Sequence, residues 1–228
     1  MSEPVDATLL VVAKAPVAGF AKTRLTPPLR PAAAAELAAA ALLDTLAAVR
    51  DSGARHGVVA WTGELARAEY ATEIAAALAD FEVVPQRGHG FGERLACAHA
   101  DAARTGLPVL QIGMDTPQAG PALLASSART LIARGGAVLG PATDGGWWAL
   151  GLTDPRPARL LAEVPMSTDR TGELTRNALH RCGLRVRSLP VLTDVDHVAD
   201  IAPVAAASTG RFAAVAARLA PLVAAGRF

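Results

Sequence analysis

Lysine has almost vanished from this chain of 228 residues: of its 22 basic residues, only Lys14 and Lys22 are lysines, and the rest are arginines. Cysteine is just as scarce. Cys97 and Cys182 stand alone, with no C-x-x-C pair and no Cys/His spacing of the kind that holds zinc. Free thiols in a cytoplasmic protein are the expectation. Charge of one sign is not in excess, since 22 basic and 21 acidic residues leave a net +1. That argues against the broad basic field of a nucleic-acid binder and against a basic face for anionic lipid. No uninterrupted apolar run approaches the ~20 residues that cross a bilayer. Glu36 and Asp44 interrupt the alanine-rich stretches. The start, MSEPVDATLL, has acids and no basic segment ahead of its apolar run, so no secretory leader is expected. Also missing are G-x-x-x-x-G-K-[ST] and G-x-S-x-G, which removes the cradle of a P-loop enzyme and the nucleophile of an α/β-hydrolase.

What is there begins with a large apolar fraction, 51% hydrophobic against 19% charged, enough for a sizeable core. The length suits one α/β unit, and a single domain over 1–228 is expected. Short apolar runs predict strands over 8–13, 58–61, 81–85, 107–112, 137–140 and 145–152, and another near 184–191. Between them, helical stripes predict helices over 31–50, 64–78, 93–104 and 121–134, then near 156–163, 170–181 and 198–225. Alternation of strand and helix through the first 140 residues predicts a mostly parallel sheet in a three-layer α/β/α arrangement. Loops after strands one, three, four and five would then gather at the carboxyl edge, where open α/β sheets bind ligands.

Both lysines sit in the loop that follows the first strand, LLVVAKAPVAGFAKTRL, together with Gly19 and Arg24. Compact ammonium groups after a strand are what a polyphosphate cradle needs, although a solvated basic turn would look the same. Asp115 ends a strand in IGMDTP, where a carboxylate can bind Mg²⁺ or Mn²⁺ or simply cap a helix. A second acidic group, Asp194, Asp196 and Asp200, follows the last strand-like run. Asp115 with Asp196 makes a sensible hard-cation pair, and His197 offers a nitrogen for Mn²⁺. The alternative is that Asp194 or Asp196 caps the helix starting near Val198.

In GPATDGGWWAL, Gly145 and Gly146 let backbone approach a ligand, or form an ordinary Asp-Gly hairpin turn. Asp144 suits a catalytic base or an acceptor for substrate hydroxyls. Of Trp147 and Trp148, one should enter the core and the other line a pocket. The glycine-rich QRGHGFGER lacks dinucleotide-fingerprint spacing. It suits a loop against a nucleobase, with Gln86 reading base edges and Arg94 turned to phosphate.

In order, AKAPVAGFAKTRL, QRGHGFGERL, IGMDTP, LGPATDGGWWALGL, PMSTD and DVDHVADI resemble the small bacterial glycosyltransferase-like family DUF2064 over roughly residues 8–201. That resemblance implies the nucleotide-diphospho-sugar transferase fold, also called GT-A. It implies that Lys14, Lys22 and Arg24 face phosphates. Lys22 is also expected, with Asp144, to be catalytic, and Gly19 to bind phosphate in the same loop. The resemblance also implies that Asp115 and Asp196 hold the metal. Asp144, Gly145, Gly146, Trp147 and Thr168 are the residues expected to form the acceptor and sugar pocket. Two positions depart from the family pattern: Met166 stands where tryptophan is usual, and His197 where threonine is usual. AKTRL also resembles the AKSRL-type segment of phospholactate and phosphoenolpyruvate guanylyltransferases.

The expectation is a metal-dependent glycosyltransferase taking a nucleotide-diphospho-sugar and an unidentified small-molecule acceptor. It would be cytoplasmic, monomeric or homodimeric, without nucleic acid or membrane span. The alternative enzyme is a nucleotidyltransferase that takes an NTP and a phosphorylated small molecule and releases pyrophosphate. A non-catalytic nucleotide-binding protein is the third reading.

Overall fold

A computed structural model describes residues 4–225. Seven strands form one sheet: β1 (Val5–Lys14), β2 (Ala54–Thr62), β3 (Glu82–Pro85), β4 (Val109–Gly113), β5 (Ala137–Pro141), β6 (Trp147–Leu152) and β7 (Val186–Ser188). Their order is β3-β2-β1-β4-β6-β5-β7. β1 is central and buried on both faces, as its continuous apolar run requires. Leu9, Val11 and Ala13 enter the core on one face of the sheet, and Leu10 enters a cluster on the other. Only β6 runs antiparallel, between β4 and β5. A tight turn joins it to β5, which makes a hairpin inside an otherwise parallel sheet.

Among the described residues there are seven α-helices: α1 (Pro31–Asp51), α2 (Ala71–Leu78), α3 (Phe91–Ala102), α4 (Pro121–Arg134), α5 (Thr171–Arg181), α6 (Val198–Ala206) and α7 (Arg211–Ala225). Pro31 and Pro121 open α1 and α4 at positions whose amides need no helical partner. α1 is long and apolar enough to cross a bilayer by length and composition, but most of it is buried within the protein. Its Leu42, Leu46 and Val49 pack toward the sheet. Its Ala34, Leu37, Ala40 and Ala41 pack against α6 and α7. Burial on both sides explains the alanines, which let neighbours approach. α6 and α7 therefore add an outer layer to the expected three, resting on α1 rather than on the sheet. Asp44 of α1 fastens that layer by accepting the Arg211 and Phe212 amides, each at 2.8 Å.

Several expected elements differ: β1 and β2 are longer than the runs 8–13 and 58–61. The helix foreseen over 64–78 is a 3₁₀ turn at Leu65–Arg67 followed by the shorter α2. Tyr70 breaks it by taking a left-handed conformation, φ 55°, while its hydroxyl donates to Glu36 at 2.5 Å. The segment Arg156–Glu163 is 3₁₀ rather than α, entered through Pro155 and Pro157 and a side-chain pairing of Arg156 with Asp154. β7 is three residues long, a short edge strand paired only to β5.

The β5–β6 hairpin turn is held by backbone crowding. Gly145 has φ 87°, and a Cβ there would be driven into the Asp169 carbonyl. The Gly172 amide donates to the Gly145 carbonyl at 2.8 Å. Gly145→Ala should thus lose about 3 kcal/mol or more, from left-handed strain plus a backbone shift. Gly146→Ala, whose Cβ would meet only the Asp144 carboxylate at 3.0 Å, should lose about 1 kcal/mol or less. Urea denaturation of both variants tests this, and equal losses would contradict it.

His99 of α3 is fully buried against Gln111 of β4, and neither side chain makes a hydrogen bond of good geometry. Burial pushes the imidazole down to about 4, only weakly opposed by Gln111. The unfolded histidine titrates near ~6.5, so between these values the unfolded chain binds more protons. Stability should rise with pH through that window, by up to about 3 kcal/mol, and be complete above it. His99→Leu should flatten this part of the profile, and an unchanged slope would rule His99 out as its source.

Candidate functional site

The carboxyl ends of β1, β3, β4 and β5 meet at one edge of the sheet, where they border a cleft of about 870 Å³. Lys14, Lys22 and Arg24 line it from the β1 loop, with Gln86 and Arg94 from the segment joining β3 to α3. Asp115 lines it from the end of β4, Asp144, Gly146 and Trp147 from the hairpin, Thr168 from the loop before α5, and Asp196 from the loop before α6. Gly19 and Gly145 lie outside the lining; Gly145 borders a smaller hollow behind the turn. The sequence thus named residues that fold together, two glycines excepted.

Lys22 is the centre of the charge arrangement. Its Nζ donates to Asp115 Oδ2 at 2.6 Å and to Asp196 Oδ1 at 2.7 Å. Arg24 Nη1 donates to Asp196 Oδ2 at 2.9 Å. The Lys22 side chain is only 13% exposed. Burial alone would lower its pKa, but the charges and hydrogen bonds of Asp115 and Asp196 raise it well above the ordinary lysine value. Burial acts first on Asp196 too, raising its pKa, and Lys22, Arg24 and His197 overcome it to bring the net shift below the usual carboxylate range.

Apolar packing sets this register. Leu25, next to Arg24, and Val195, between Asp194 and Asp196, belong to one buried cluster with α1, α6 and α7. The Val195 amide also donates to the Asp115 carbonyl at 3.1 Å, which ties the two acidic segments by backbone.

The loop cations divide into two groups. Lys22 and Arg24 are engaged by carboxylates. Lys14 and Arg94 have no acidic partner among the described residues. Lys14 Nζ lies 3.8 Å from the Phe20 ring centroid. Burial, and then the nearby Arg94, lower its pKa. Arg94 Nε is buried without a hydrogen bond. Two uncompensated cations side by side are suited to an anion.

Asp194 supplies the opposite charge. Its Oδ1 is buried without a hydrogen-bond partner. Burial, then Asp115, Asp144 and Asp196, push its pKa up to about 8, against a lowering by Lys22. Among the described residues, no three His, Cys, Asp or Glu side chains are already gathered as metal ligands. Lys22 stands between two of the candidates. The oxygens nevertheless suit a hard divalent cation: Asp115 and Asp196 already converge on one positive charge, and Asp194 adds an orphaned oxygen beside them. Neither Asp194 nor Asp196 caps α6. His197 holds the cap position, and Asp200 Oδ2 accepts the His197 and Asp196 amides at 2.6 and 3.1 Å.

The two tryptophans divide as alternation predicts. Trp148 is buried and donates to the Pro190 carbonyl at 2.9 Å. Trp147 lines the cleft, its Nε1 donating to Thr175 Oγ1 at 3.2 Å. Asp144 Oδ1 accepts the Gly146 amide at 2.8 Å, a turn-forming bond of the kind the alternative reading foresaw. The Thr168 hydroxyl lies 3.2 Å from that of Thr171. The lining residues that the sequence reading did not single out include Phe20, Phe91, Gln111 and Ser167. Ser167 takes φ 60° without being glycine. Gln111 left a legible signal, since it is the one polar residue in the buried run VLQIG and its amide has no partner.

Comparison with solved structures gives the fold its relatives. A protein provisionally described as a nucleotide-diphospho-sugar transferase from Desulfovibrio desulfuricans G20 matches with a TM-score of 0.73 and 25% identity, over 85% of this chain and 84% of that one. Rv0371c from Mycobacterium tuberculosis H37Rv, in complex with manganese, matches at 0.53 and 18% identity, over 87% and 97%. A nucleotidyl transferase from Methanothermobacter thermautotrophicus matches at 0.52 and 17% identity, over 85% and 93%. The last two share the fold alone. No curated protein matches significantly. The family model described as "Uncharacterized protein conserved in bacteria (DUF2064)" matches residues 45–168, a span that includes Asp115, Asp144 and Thr168. The seven-stranded α/β chain belongs to the DUF2064 family.

Proposed function

We propose that this protein is a divalent-metal-dependent transferase that takes a nucleotide-diphospho-sugar and moves the sugar to a small-molecule acceptor. The observation that carries the reading is the polarity of the cleft. Lys14 and Arg94 lack acidic partners, while Asp115, Asp194 and Asp196 stand along the same cleft. A diphosphate bridging cation and basic side chains fits that division. A volume of about 870 Å³ is within the range of small-ligand clefts. The relatives add support: one is described as a sugar-nucleotide transferase, and another holds manganese.

Gln86 is prepared to read a base. Its Nε2 donates to the Ala13 and Ala60 carbonyls at 2.8 and 2.9 Å. With the amide nitrogen so committed, Oε1 is the acceptor left for an N–H edge of a nucleobase. Lys14 and Arg94 bind phosphate oxygens, and Trp147 and Thr168 bound the acceptor side. Asp144 keeps one oxygen for the turn and presents the other to an acceptor hydroxyl as base. Asp115, Asp194 and Asp196 would hold the cation, which when bound supplies charge neutralisation for the departing diphosphate.

The test is a panel of nucleotide sugars and NTPs with Mn²⁺, followed by calorimetry and product analysis. Sugar-nucleotide binding and transfer or hydrolysis are expected. Pyrophosphate release from an NTP with a phosphorylated acceptor would move the assignment to nucleotidyl transfer, and no binding of any nucleotide would end it. Lys14→Ala and Arg94→Ala should each weaken nucleotide binding about tenfold, the loss of one charge-assisted contact. Gln86→Leu should weaken it about tenfold for the preferred base and change the ranking of bases. Equal loss for every base would remove Gln86 from recognition.

A further inference from the structure

Lys22 occupies an unusual position for a phosphate-loop lysine: both carboxylates named as metal ligands are bound to it. We propose that Lys22 is the resident counter-cation of the Asp115–Asp196 pair and leaves that place only for a bound polyphosphate. Divalent-cation binding and nucleotide binding would then be coupled through one side chain. The inference rests on the cation-and-polyphosphate reading above.

The geometry sets the conflict. One ammonium lies 2.6 Å from Asp115 Oδ2 and 2.7 Å from Asp196 Oδ1. A divalent ion taking those two oxygens would need the space Lys22 fills, and at that range two positive charges repel strongly. The Lys22 side chain, 13% exposed, cannot simply turn to water where it stands. Once removed from its carboxylates without a new anion, it would be a largely desolvated unpaired charge. A polyphosphate in the cleft supplies that anion, because Lys22 lines the same cleft as Lys14 and Arg94.

The backbone is consistent with a held position. Lys22 takes φ 50° and ψ 42°, left-handed for a residue with a side chain. Such a conformation persists when the surroundings over-determine it, and here two ion pairs do so. Asp194 adds to the demand for a second cation, because Lys22 makes no hydrogen bond to it and its Oδ1 is orphaned. The consequence is reciprocal: whatever polyphosphate does for cation affinity, the cation does for polyphosphate affinity.

The experiment measures Mn²⁺ binding by electron paramagnetic resonance, with and without pyrophosphate, in the wild type and Lys22→Met. Chelation of Mn²⁺ by pyrophosphate in solution is common to both proteins and cancels in the comparison. The wild type should bind Mn²⁺ weakly alone and clearly tighter with pyrophosphate. Lys22→Met should bind Mn²⁺ alone at least about tenfold tighter than the wild type, and its gain from pyrophosphate should fall well below the wild type's, to what direct bridging of cation and diphosphate supplies. A variant that binds Mn²⁺ no tighter, or keeps the full gain, overturns the proposal. If the metal-free variant melts too low to measure, the wild type answers through ε-¹³C-lysine NMR. With two lysines in the chain, the Lys22 resonance should move when Mg²⁺ and pyrophosphate are both present. A resonance that stays fixed through saturation also overturns it. Asp115→Asn separates the failures. If it abolishes Mn²⁺ binding while Lys22→Met gains nothing, the exchange alone is wrong. If the wild type binds no Mn²⁺ under any condition, the metal-dependent reading falls with it.

Discussion

Three stretches of chain far apart in sequence are brought together by one ammonium group. Lys22 joins the loop after β1 to the end of β4 and to the segment before α6, across sequence separations of 93 and 174 residues. Nearly everything distinctive about the carboxyl edge follows from that arrangement. Without a cation between them, Asp115, Asp194 and Asp196 would repel one another in a partly dry cleft, and at least one would have to stay protonated. Asp194 already shows the strain of this grouping. The acidic side of the edge therefore has a counter-cation before any ligand arrives, while Lys14 and Arg94 on the same cleft have no acidic partner among the described residues.

The rest of the fold holds those three stretches still. The parallel core around β1 fixes the strand ends, and the antiparallel β6 turns the hairpin back so that Asp144 and Trp147 face the cleft that Lys14 and Arg94 border. The turn itself is packed backbone against backbone, with Gly145 against Asp169 and Gly172 against the turn carbonyls. Alanine-rich α1 permits close packing on two sides, toward the sheet and toward α6 and α7. Its alanine-rich composition reflects a helix buried between two protein layers.

Much of this was legible in the sequence because its signals are local. Apolar runs ending in Gly, Pro or Asp gave the strands, and α4 was bounded by Pro121 and Arg134 as its punctuation indicates. The grouping of Lys14, Lys22, Asp115, Asp144 and Asp196 was legible through strand-end logic and the order of motifs. What escaped depends on tertiary partners. Nothing near Lys22 in sequence says that it is bound by carboxylates 93 and 174 residues away while Lys14 is not. Capping of α6 by Asp200 instead of Asp194 or Asp196 depends on where the chain turns before His197. Tyr70 ends a helical pattern through a hydroxyl bond to Glu36, a residue on another helix. The fourth layer was hidden because an alanine helix looks the same whether one side or both are covered.

The cluster that contains Leu25 and Val195 is not part of the sheet; apart from Leu29, just ahead of α1, its other members come from α1, α6 and α7. The polar groups on either side of the cleft mouth therefore inherit their alignment from a peripheral apolar layer, fastened largely by the carboxylate of Asp44. Peripheral layers open locally at lower free energy than a sheet core does. Local opening of that outer layer would therefore misalign the edge while leaving the sheet beneath intact. Hydrogen exchange at the Arg211 and Phe212 amides would consequently follow the population of competent sites more closely than any measure of global unfolding.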